Sequence, residues 1–150
     1  MKISTKGRYG LRAFIDLARY SEEGPVSISS IAKRQELSEG YLEQLMAKLK
    51  KAGLVKSLRG SGGGYILAKD ASEISVGDVL RALEGNMELV TCAAFHDVES
   101  CGLQKTCVTK YVWQKINESI LSTIDEIKIN TLVEQSRREG GKYDETDIFG

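Results

Sequence analysis

The residues best suited to chemistry lie in one short stretch, residues 92–107, which reads CAAFHDVESCGLQKTC. It contains the three cysteines of the chain, Cys92, Cys101 and Cys107, and its one histidine, His96. Thiolate and imidazole groups are ligands for transition metals and for iron–sulfur clusters. The stretch is therefore the candidate site for a metal ion or a cluster.

The spacing of these cysteines is Cys-x8-Cys-x5-Cys. Structural zinc sites usually take their ligands in pairs about two to four residues apart, and the stretch has no such pair. Iron–sulfur clusters accept more varied spacing, and histidine can replace cysteine on one iron. Three thiolates leave one coordination position for another ligand, which suits a labile cluster better than a structural one. From spacing alone, a cluster, a zinc ion and three unreactive thiols all remain open.

Charge is distributed unevenly along the chain, although the formal net charge is zero. Residues 1–70 contain 13 Lys and Arg against 7 Asp and Glu, whereas residues 71–150 contain 8 against 14. A basic half joined to an acidic half indicates that the first half binds a polyanion.

Composition argues against several other classes of protein. No apolar run reaches the roughly 18 residues that span a bilayer, and the polar start MKISTKGRYG lacks the apolar core of a secretory signal. We therefore expect a cytoplasmic protein with no membrane partner, in which an odd number of thiols stays reduced. One histidine and no recognisable nucleophile–base spacing argue against an enzyme.

Three helices are predicted in the first 53 residues. Ser4 or Thr5 caps a helix that extends to about Tyr20, and Ser27 and Ser38 cap two shorter ones. Apolar residues recur at i, i+3, i+4 and i+7 in the first and third helices. They are Leu11, Phe14, Ile15 and Ala18 in the first helix, and Leu42, Leu45, Met46 and Leu49 in the third. Two short helices joined by a tight turn form the helix-turn-helix pattern.

A glycine-rich hairpin follows directly. Residues 54–58 and 65–67 read as two short strands around the tip RGSGGG of residues 59–64. The tip lacks the Gly-Lys-Ser/Thr ending of a nucleotide-binding loop, so the wing of a winged helix is the preferred interpretation. The predicted fold is therefore mainly α with a small β-hairpin wing, that is, a winged helix-turn-helix.

Candidate DNA contacts are the polar residues of the third helix and the wing tip. On the helix they are Ser38, Tyr41, Glu43, Gln44 and Lys48, which we expect to face outward, and on the wing they are Arg59, Gly60 and Gly62. Arg59 could enter a narrow minor groove, and glycine lets the backbone approach DNA closely. Glu43 can accept from a cytosine amino group but repels phosphate, so it could discriminate between sites. A solvated helix face is the alternative for the helix residues taken alone.

The C-terminal half is predicted to consist of helices around the cysteine stretch. Ser75 and Asp78 form a capping box for a fourth helix. A helix of about 26 residues then runs from about Leu103 to Lys128, and Thr131 and Glu134 cap a last short one. The long helix has an apolar stripe longer than so small a domain can cover by itself, which predicts a twofold homodimer, with a helix folded back over its own domain as the alternative. The stripe consists of Val112, Ile116, Ile120, Ile124 and Ile127.

These elements divide the chain into four predicted parts. Residues 1–85 form the DNA-binding domain and residues 86–107 the cluster-binding loop. Residues 103–137 contain the dimerisation helix and the short C-terminal helix. Residues 138–150 form an acidic tail without periodicity, which we expect to be disordered.

Three segments together resemble a known family. They are MKISTKGRYGLRA, the run LSEGYLEQLMAKLKKAGLVKSLRGSGGGYILAKD, and the three cysteines followed by a long helix. Over about residues 1–135 the chain resembles the IscR-type iron–sulfur cluster regulators. The resemblance implies a winged helix-turn-helix with a long dimerisation helix. It also implies that the three cysteines bind a cluster whose occupancy selects the DNA sites, which are expected to be imperfect palindromes.

The resemblance departs from the family at the fourth cluster ligand. The family's biogenesis regulator has a histidine three residues after the third cysteine, where this chain has Lys110. A protonated lysine cannot ligate, so His96 becomes the candidate, with Asp97, Glu99 or a group of a second subunit as alternatives. The nitric oxide-sensing branch, which binds [4Fe-4S], uses an aspartate of the first helix. Because this chain reads Gly-Arg-Tyr at residues 7–9, [2Fe-2S] is preferred over [4Fe-4S].

The resemblance also includes the cysteine-metabolism repressor, which works without a cluster. We expect a homodimeric regulator that senses iron–sulfur status and controls iron–sulfur biogenesis or stress genes. The alternatives are a cluster-free repressor of the cysteine-metabolism type, or a regulator switched by thiol oxidation or zinc.

Overall fold

A computed structural model describes residues 2–90, 102–103 and 105–138 of the chain. Within these residues, six α-helices accompany one two-stranded antiparallel hairpin. Their bounds are α1 Thr5–Tyr20, α2 Ile28–Gln35, α3 Glu39–Lys51, β1 Val55–Leu58, β2 Gly64–Leu67, α4 Val76–Glu84, α5 Thr109–Glu126 and α6 Ile129–Ser136. No helix in this part of the chain is long and apolar enough to cross a bilayer. The mainly α architecture with one hairpin is the one that the sequence predicts.

The predicted helix caps of the first four helices are confirmed. Each cap is a serine whose side-chain oxygen accepts from a backbone N–H of the first turn, at 3.0 to 3.4 Å. These serines are Ser4, Ser27, Ser38 and Ser75. The cap of α4 is a full capping box, because Asp78 also accepts from the Ser75 N–H at 2.9 Å. Because these bonds span only three residues, they determine where each helix starts without tertiary contacts.

The core lies between α1, α3, α4 and α6. The four apolar residues predicted to face inward on α3 are at most 1% exposed. On α1 the buried side is rotated from the predicted stripe: Ala13 and Leu17 are fully buried, whereas Leu11 and Ile15 are only half-buried. The rotation arises because α1 is contacted by four other helices, α2, α3, α4 and α6, and a helix surrounded in this way buries more than one stripe.

A buried carboxylate joins α1 to the helix-turn-helix. Asp16 accepts from Arg34 at 2.7 and 2.9 Å and from the Gln35 amide at 2.9 Å, and its side chain is 3% exposed. The Arg34 guanidinium also stacks on the Tyr20 ring, 4.0 Å from its centroid. These bonds hold the end of α2 at a fixed angle to α1.

Removing this carboxylate is expected to destabilise the fold. Asp16→Ala leaves Arg34 and Gln35 without their shared acceptor, which should lower the free energy of unfolding by about 2 kcal/mol. Urea denaturation followed by circular dichroism measures the change. The control is Glu22→Ala, which removes the exposed ion pair with Arg137 and should change stability by less than about 0.5 kcal/mol. Equal effects of the two substitutions would contradict a structural role for Asp16.

The wing is anchored to the body by a third extended segment. Val26 and Tyr65 exchange backbone hydrogen bonds at 2.9 and 2.8 Å, so that residue 26 extends the hairpin by one bridge. Gly64 is required there, because its φ is +155° and a Cβ would lie 2.4 Å from the Val26 carbonyl oxygen. The base of the wing is therefore fixed, and only its tip projects.

The long helix is shorter than predicted. The expected start is Leu103, whereas α5 begins at Thr109. Ahead of it, the N–H groups of Thr106 and Cys107 both donate to the Leu103 carbonyl, at 3.0 and 2.9 Å. These bonds close tight turns in place of a regular helix. The prediction was wrong because a segment without Gly or Pro permits a helix but does not require one.

The end of α5 is set by contacts with α4. The Ile127 carbonyl accepts from the Val76 N–H at 2.9 Å, and the Ile129 N–H donates to the Ile74 carbonyl at 2.9 Å. This short antiparallel bridge requires extended backbone at Ile127, which has φ −78° and ψ 113°. A continuous helix to Lys128 is thereby excluded.

The capping box predicted for the last helix is wrong. α6 begins at Ile129, so that Thr131 lies inside its first turn, and no side chain among the described residues caps the helix. Ile129 and Val133 are at most 3% exposed and pack in the same core as α1. Burial of these two residues, rather than a local cap, determines where α6 starts.

Candidate DNA interface and cysteine site

The candidate recognition surface lies on α3, opposite its buried side. Glu43, Gln44 and Lys48 are exposed on one side of the helix. Ser38 is exposed as well, and its hydroxyl oxygen accepts from the Tyr41 N–H at 3.2 Å to cap the helix. The surface combines one carboxylate, one amide and one ammonium group, which can contact base edges and phosphate.

Tyr41 does not face outward as predicted. Its ring is half-buried and meets the ring of Tyr9 edge to face, with centroids 6.4 Å apart. Its hydroxyl is buried and has no hydrogen-bond partner within the described residues. The ring packs inward because α1 passes beside α3 at this point, a tertiary contact that helical periodicity does not reveal. In this conformation Tyr41 fixes α3 against α1 and does not present its hydroxyl to a ligand.

The wing tip exposes backbone next to this surface. Gly60 has φ +109°, and a Cβ on Gly60 or Gly62 would meet nothing within 4 Å, so both glycines face open space. Arg59 is exposed at the base of the tip. The Lys50 ammonium donates to the Ser57 hydroxyl at 2.8 Å, which ties the end of α3 to β1. Helix and wing are therefore held as one unit.

Two basic residues of α1, beside α3 and the wing, were not predicted as candidate DNA contacts from the sequence. The guanidinium groups of Arg8 and Arg12 lie 5.9 and 5.5 Å from the centroid of the Tyr9 ring, and Tyr9 in turn contacts Tyr41 of α3. Arg12 also donates to the Gln35 carbonyl at 3.1 Å. The signal available in the sequence is their i, i+4 spacing around an aromatic residue in the basic half. They add two exposed positive charges on α1, beside the recognition surface of α3.

Of the predicted cluster ligands, Cys107 is the one that the structure describes. It lies two residues before α5, is half-buried, and its Sγ is 3.0 Å from the Thr109 Oγ1. The hydrogen bond from the Thr109 side chain lowers the pKa of the Cys107 thiol, and the backbone N–H groups of Lys110 and Thr109 and the Lys110 charge act in the same direction. These groups favour the thiolate, which is the form that binds iron or zinc.

Cys92, His96 and Cys101 lie outside the described residues. Within residues 2–90, 102–103 and 105–138, no three His, Cys, Asp or Glu side chains converge on a common point. The donor chemistry of Cys107 fits a thiolate-bound cluster or metal, and a group bound by this thiolate would lie near the start of α5.

Comparison with known proteins places these features in a family. The Rrf2 model, described as an iron-dependent transcriptional regulator, matches residues 3–135. The HTH-type transcriptional regulator IscR of Serratia proteamaculans is 42% identical over 133 residues, which cover 89% of this chain and 79% of that protein. That of Yersinia pestis is 41% identical over the same length and coverage.

Two solved structures agree with this assignment. The chain matches T. potens IscR with a TM-score of 0.74 and 44% identity, over 97% of this chain and 95% of that one. It matches CymR, the global cysteine regulator of B. subtilis, with a TM-score of 0.73 and 41% identity, over 89% and 97%. The winged-helix fold and a regulator rather than an enzyme are confirmed, and the chain belongs to the Rrf2 family of transcriptional regulators.

Proposed function

We propose that this DNA-binding transcription regulator is a homodimer that senses iron–sulfur status through a cluster held by Cys92, Cys101 and Cys107. [2Fe-2S] is preferred, with His96 as a fourth ligand. Its proposed targets are iron–sulfur biogenesis or stress genes. The observation that carries the proposal is the environment of Cys107, where hydroxyl and N–H donors favour the thiolate at the start of the dimer helix.

The apolar side of α5 supports the dimer. Val112 and Ile116 are 50% and 40% exposed in the single chain, and Trp113 is 38% exposed. Further along the same side, Ile116, Ile120 and Ile124 border an open groove of about 390 Å³. A contiguous apolar surface of this kind is uncommon on a monomer, and a second copy of α5 would cover it by twofold symmetry. Two α3 helices would then read successive major grooves of an imperfect palindrome.

When bound, a cluster would supply a redox-active and oxygen-sensitive centre. The residues of the chain supply the rest. Cys107 binds as thiolate with its charge stabilised by Thr109, and α5 transmits the position of Cys107 to the body. On α3, Gln44 and Glu43 contact base edges and Lys48 contacts phosphate. On the wing, Arg59 enters the minor groove.

The experiment that tests the cluster is analysis of protein purified without oxygen. Iron and acid-labile sulfide are counted per chain, and the visible spectrum is recorded. Equal amounts of iron and sulfide with thiolate-to-iron absorbance would support the proposal, and the amount of each per chain would indicate the cluster type. Protein that stays colourless after an attempt at cluster reconstitution would contradict the proposed cluster.

The second candidate is a cluster-free or zinc-bound regulator of the cysteine-metabolism type. The match to CymR at 41% identity favours it, because this fold serves a protein described as a cysteine regulator. The same measurement separates the two candidates, since zinc is colourless and a thiol switch contains no metal.

The salt dependence of DNA binding is the first prediction for the reading surface. Lys48→Ala removes one phosphate-binding ammonium from α3, so the slope of log K against log salt should become less negative by about 1. Fluorescence anisotropy with a labelled duplex at several salt concentrations measures it. Lys69→Ala is the control. Lys69 borders a cleft beside Asn130 of α6, away from the recognition surface of α3, so this substitution should leave the slope unchanged. An unchanged slope for Lys48→Ala would exclude Lys48 as a phosphate contact.

A further inference from the structure

A charged contact joins the end of α5 to α4. Arg81 donates to the Asp125 carboxylate through both terminal nitrogens, at 2.6 and 3.3 Å, and to Asp78 at 3.3 Å. Asp78 is itself fixed, because its other oxygen accepts from the Ser75 N–H in the capping box of α4. We call the set Gly77, Asp78, Arg81 and Asp125 the clasp.

Gly77 makes room for this contact. A Cβ on Gly77 would lie 1.9 Å from Asp125 Oδ1 and 3.1 Å from the Arg81 guanidinium. Any side chain at position 77 would therefore push the carboxylate out of its seat on α4. The φ of Gly77 is not in the left-handed region, so backbone conformation does not call for glycine here, and the close approach of Asp125 does.

The clasp contributes little to folding stability. The side chains of Arg81 and Asp125 are 41% and 44% exposed, and ion pairs with this exposure are screened by water. The body is already joined to this junction by two backbone bonds and by buried Ile129. What the bidentate ion pair adds is a fixed direction for α5, because planar guanidinium and carboxylate groups align in one geometry.

The helix α5 has Cys107 near its start and the clasp at its end. α5 has 18 residues and is therefore about 27 Å long, with Cys107 two residues before its start and the clasp at its last turn. α4 packs on α1, and Glu84 at its end accepts from the Ser4 N–H and hydroxyl, at 2.8 and 2.7 Å. Contacts therefore run from α5 through the clasp and α4 to α1, which packs on α2 and α3. We call α2, α3 and the wing the reading head.

We infer that Asp125, seated against Gly77 and held by Arg81, is the positioning residue that couples the cysteine site to DNA binding. The inference rests on the proposed function, because it requires a cluster at Cys107 and a dimer formed through α5. With the clasp closed, rotation of α5 moves the two reading heads relative to each other. With the clasp open, the backbone bonds still hold the end of α5 but its direction is no longer fixed, so less of its rotation reaches α4.

The test compares DNA affinity with and without the cluster. The probe is an operator duplex selected by the wild-type protein from a random library. The measured quantity is the ratio of the dissociation constants of cluster-free and cluster-loaded protein. Asp125→Asn removes the charge while keeping the shape, and Gly77→Ala displaces the carboxylate without altering a charged group. Glu126→Gln is the control, because the Glu126 carboxylate bonds to Ser122 within α5 and not to α4.

Both clasp variants are expected to bring the ratio about 2- to 30-fold closer to one, the range known for substitutions along a coupling route. Iron content, dimer mass and melting temperature should stay as in the wild type, and Glu126→Gln should keep the wild-type ratio. An unchanged ratio in both clasp variants would overturn the inference and leave the proposed function standing. Loss of iron or of the dimer would also overturn it, since the clasp would then be structural. A wild-type ratio of one would refute the proposed cluster sensing itself.

Discussion

Replacing Cys92, Cys101 and Cys107 together by alanine should give a colourless protein that is still a folded dimer. Iron and sulfide should fall to background, because a lone imidazole cannot hold a cluster from which all three thiolates have been removed. Folding should be unaffected by the change at Cys107, since that side chain lies outside the apolar core and contacts Thr109 through its sulfur. Circular dichroism, metal analysis and sedimentation equilibrium measure the three quantities on the same sample.

The control for this experiment keeps the thiols and changes their neighbour. Thr109→Val removes the hydroxyl that lowers the pKa of Cys107, so the cluster should still form but be lost faster to a chelator. A triple variant that is unfolded or monomeric would show that the cysteines are structural, which would contradict the proposed sensing function. A variant that keeps its iron would show that other residues are the ligands.

What could be predicted from the sequence is what short-range chemistry determines. Ser27, Ser38 and Ser75 cap their helices through bonds spanning three residues, and the glycine-rich tip leaves few alternatives to a hairpin. The buried side of α3 follows from helical periodicity alone. In these segments local preference and tertiary packing agree, which is why the winged helix was predicted correctly.

Most errors and omissions lie where distant parts of the chain decide the outcome. The start of α5 is the exception, because local turns there replace the predicted helix. The start of α6 is set by burial of Ile129 beneath α1, and the end of α5 by a backbone bond to Val76. Tyr41 turns inward because Tyr9 of α1 lies beside it. The partners of Asp16 are 18 and 19 residues away on another helix. No pattern within a single helix contains this information, since it depends on how the helices pack.

A charge on the apolar side of α5 should separate the proposed dimer into monomers. Ile116 is 40% exposed in the single chain and borders the groove along α5, so a second copy packed on this groove would bury it. Ile116→Asp would place a carboxylate in that interface without a partner, a change expected to cost at least about 2 kcal/mol of dimerisation free energy, or about 30-fold in the dimer dissociation constant. Sedimentation velocity over a range of concentrations measures the shift.

The matched control introduces the same charge elsewhere on α5. Ser122 is two residues from Ile120 and therefore on a different side of the helix, and Ser122→Asp should leave the dimer intact. If Ile116→Asp and wild type have the same mass at all concentrations, the apolar side of α5 does not form the interface.

DNA binding distinguishes loss of the dimer from loss of the fold. The core of the reading head does not include Ile116, so Ile116→Asp should bind a duplex with one half-site as strongly as the wild-type protein binds it per subunit. On a duplex with both half-sites the wild type gains from two linked contacts, and the variant should lose that gain, about 100-fold or more. Equal weakening on both duplexes would instead show that the substitution damages α3 or the wing. The difference between the two duplexes thus measures what dimerisation through α5 contributes to operator recognition.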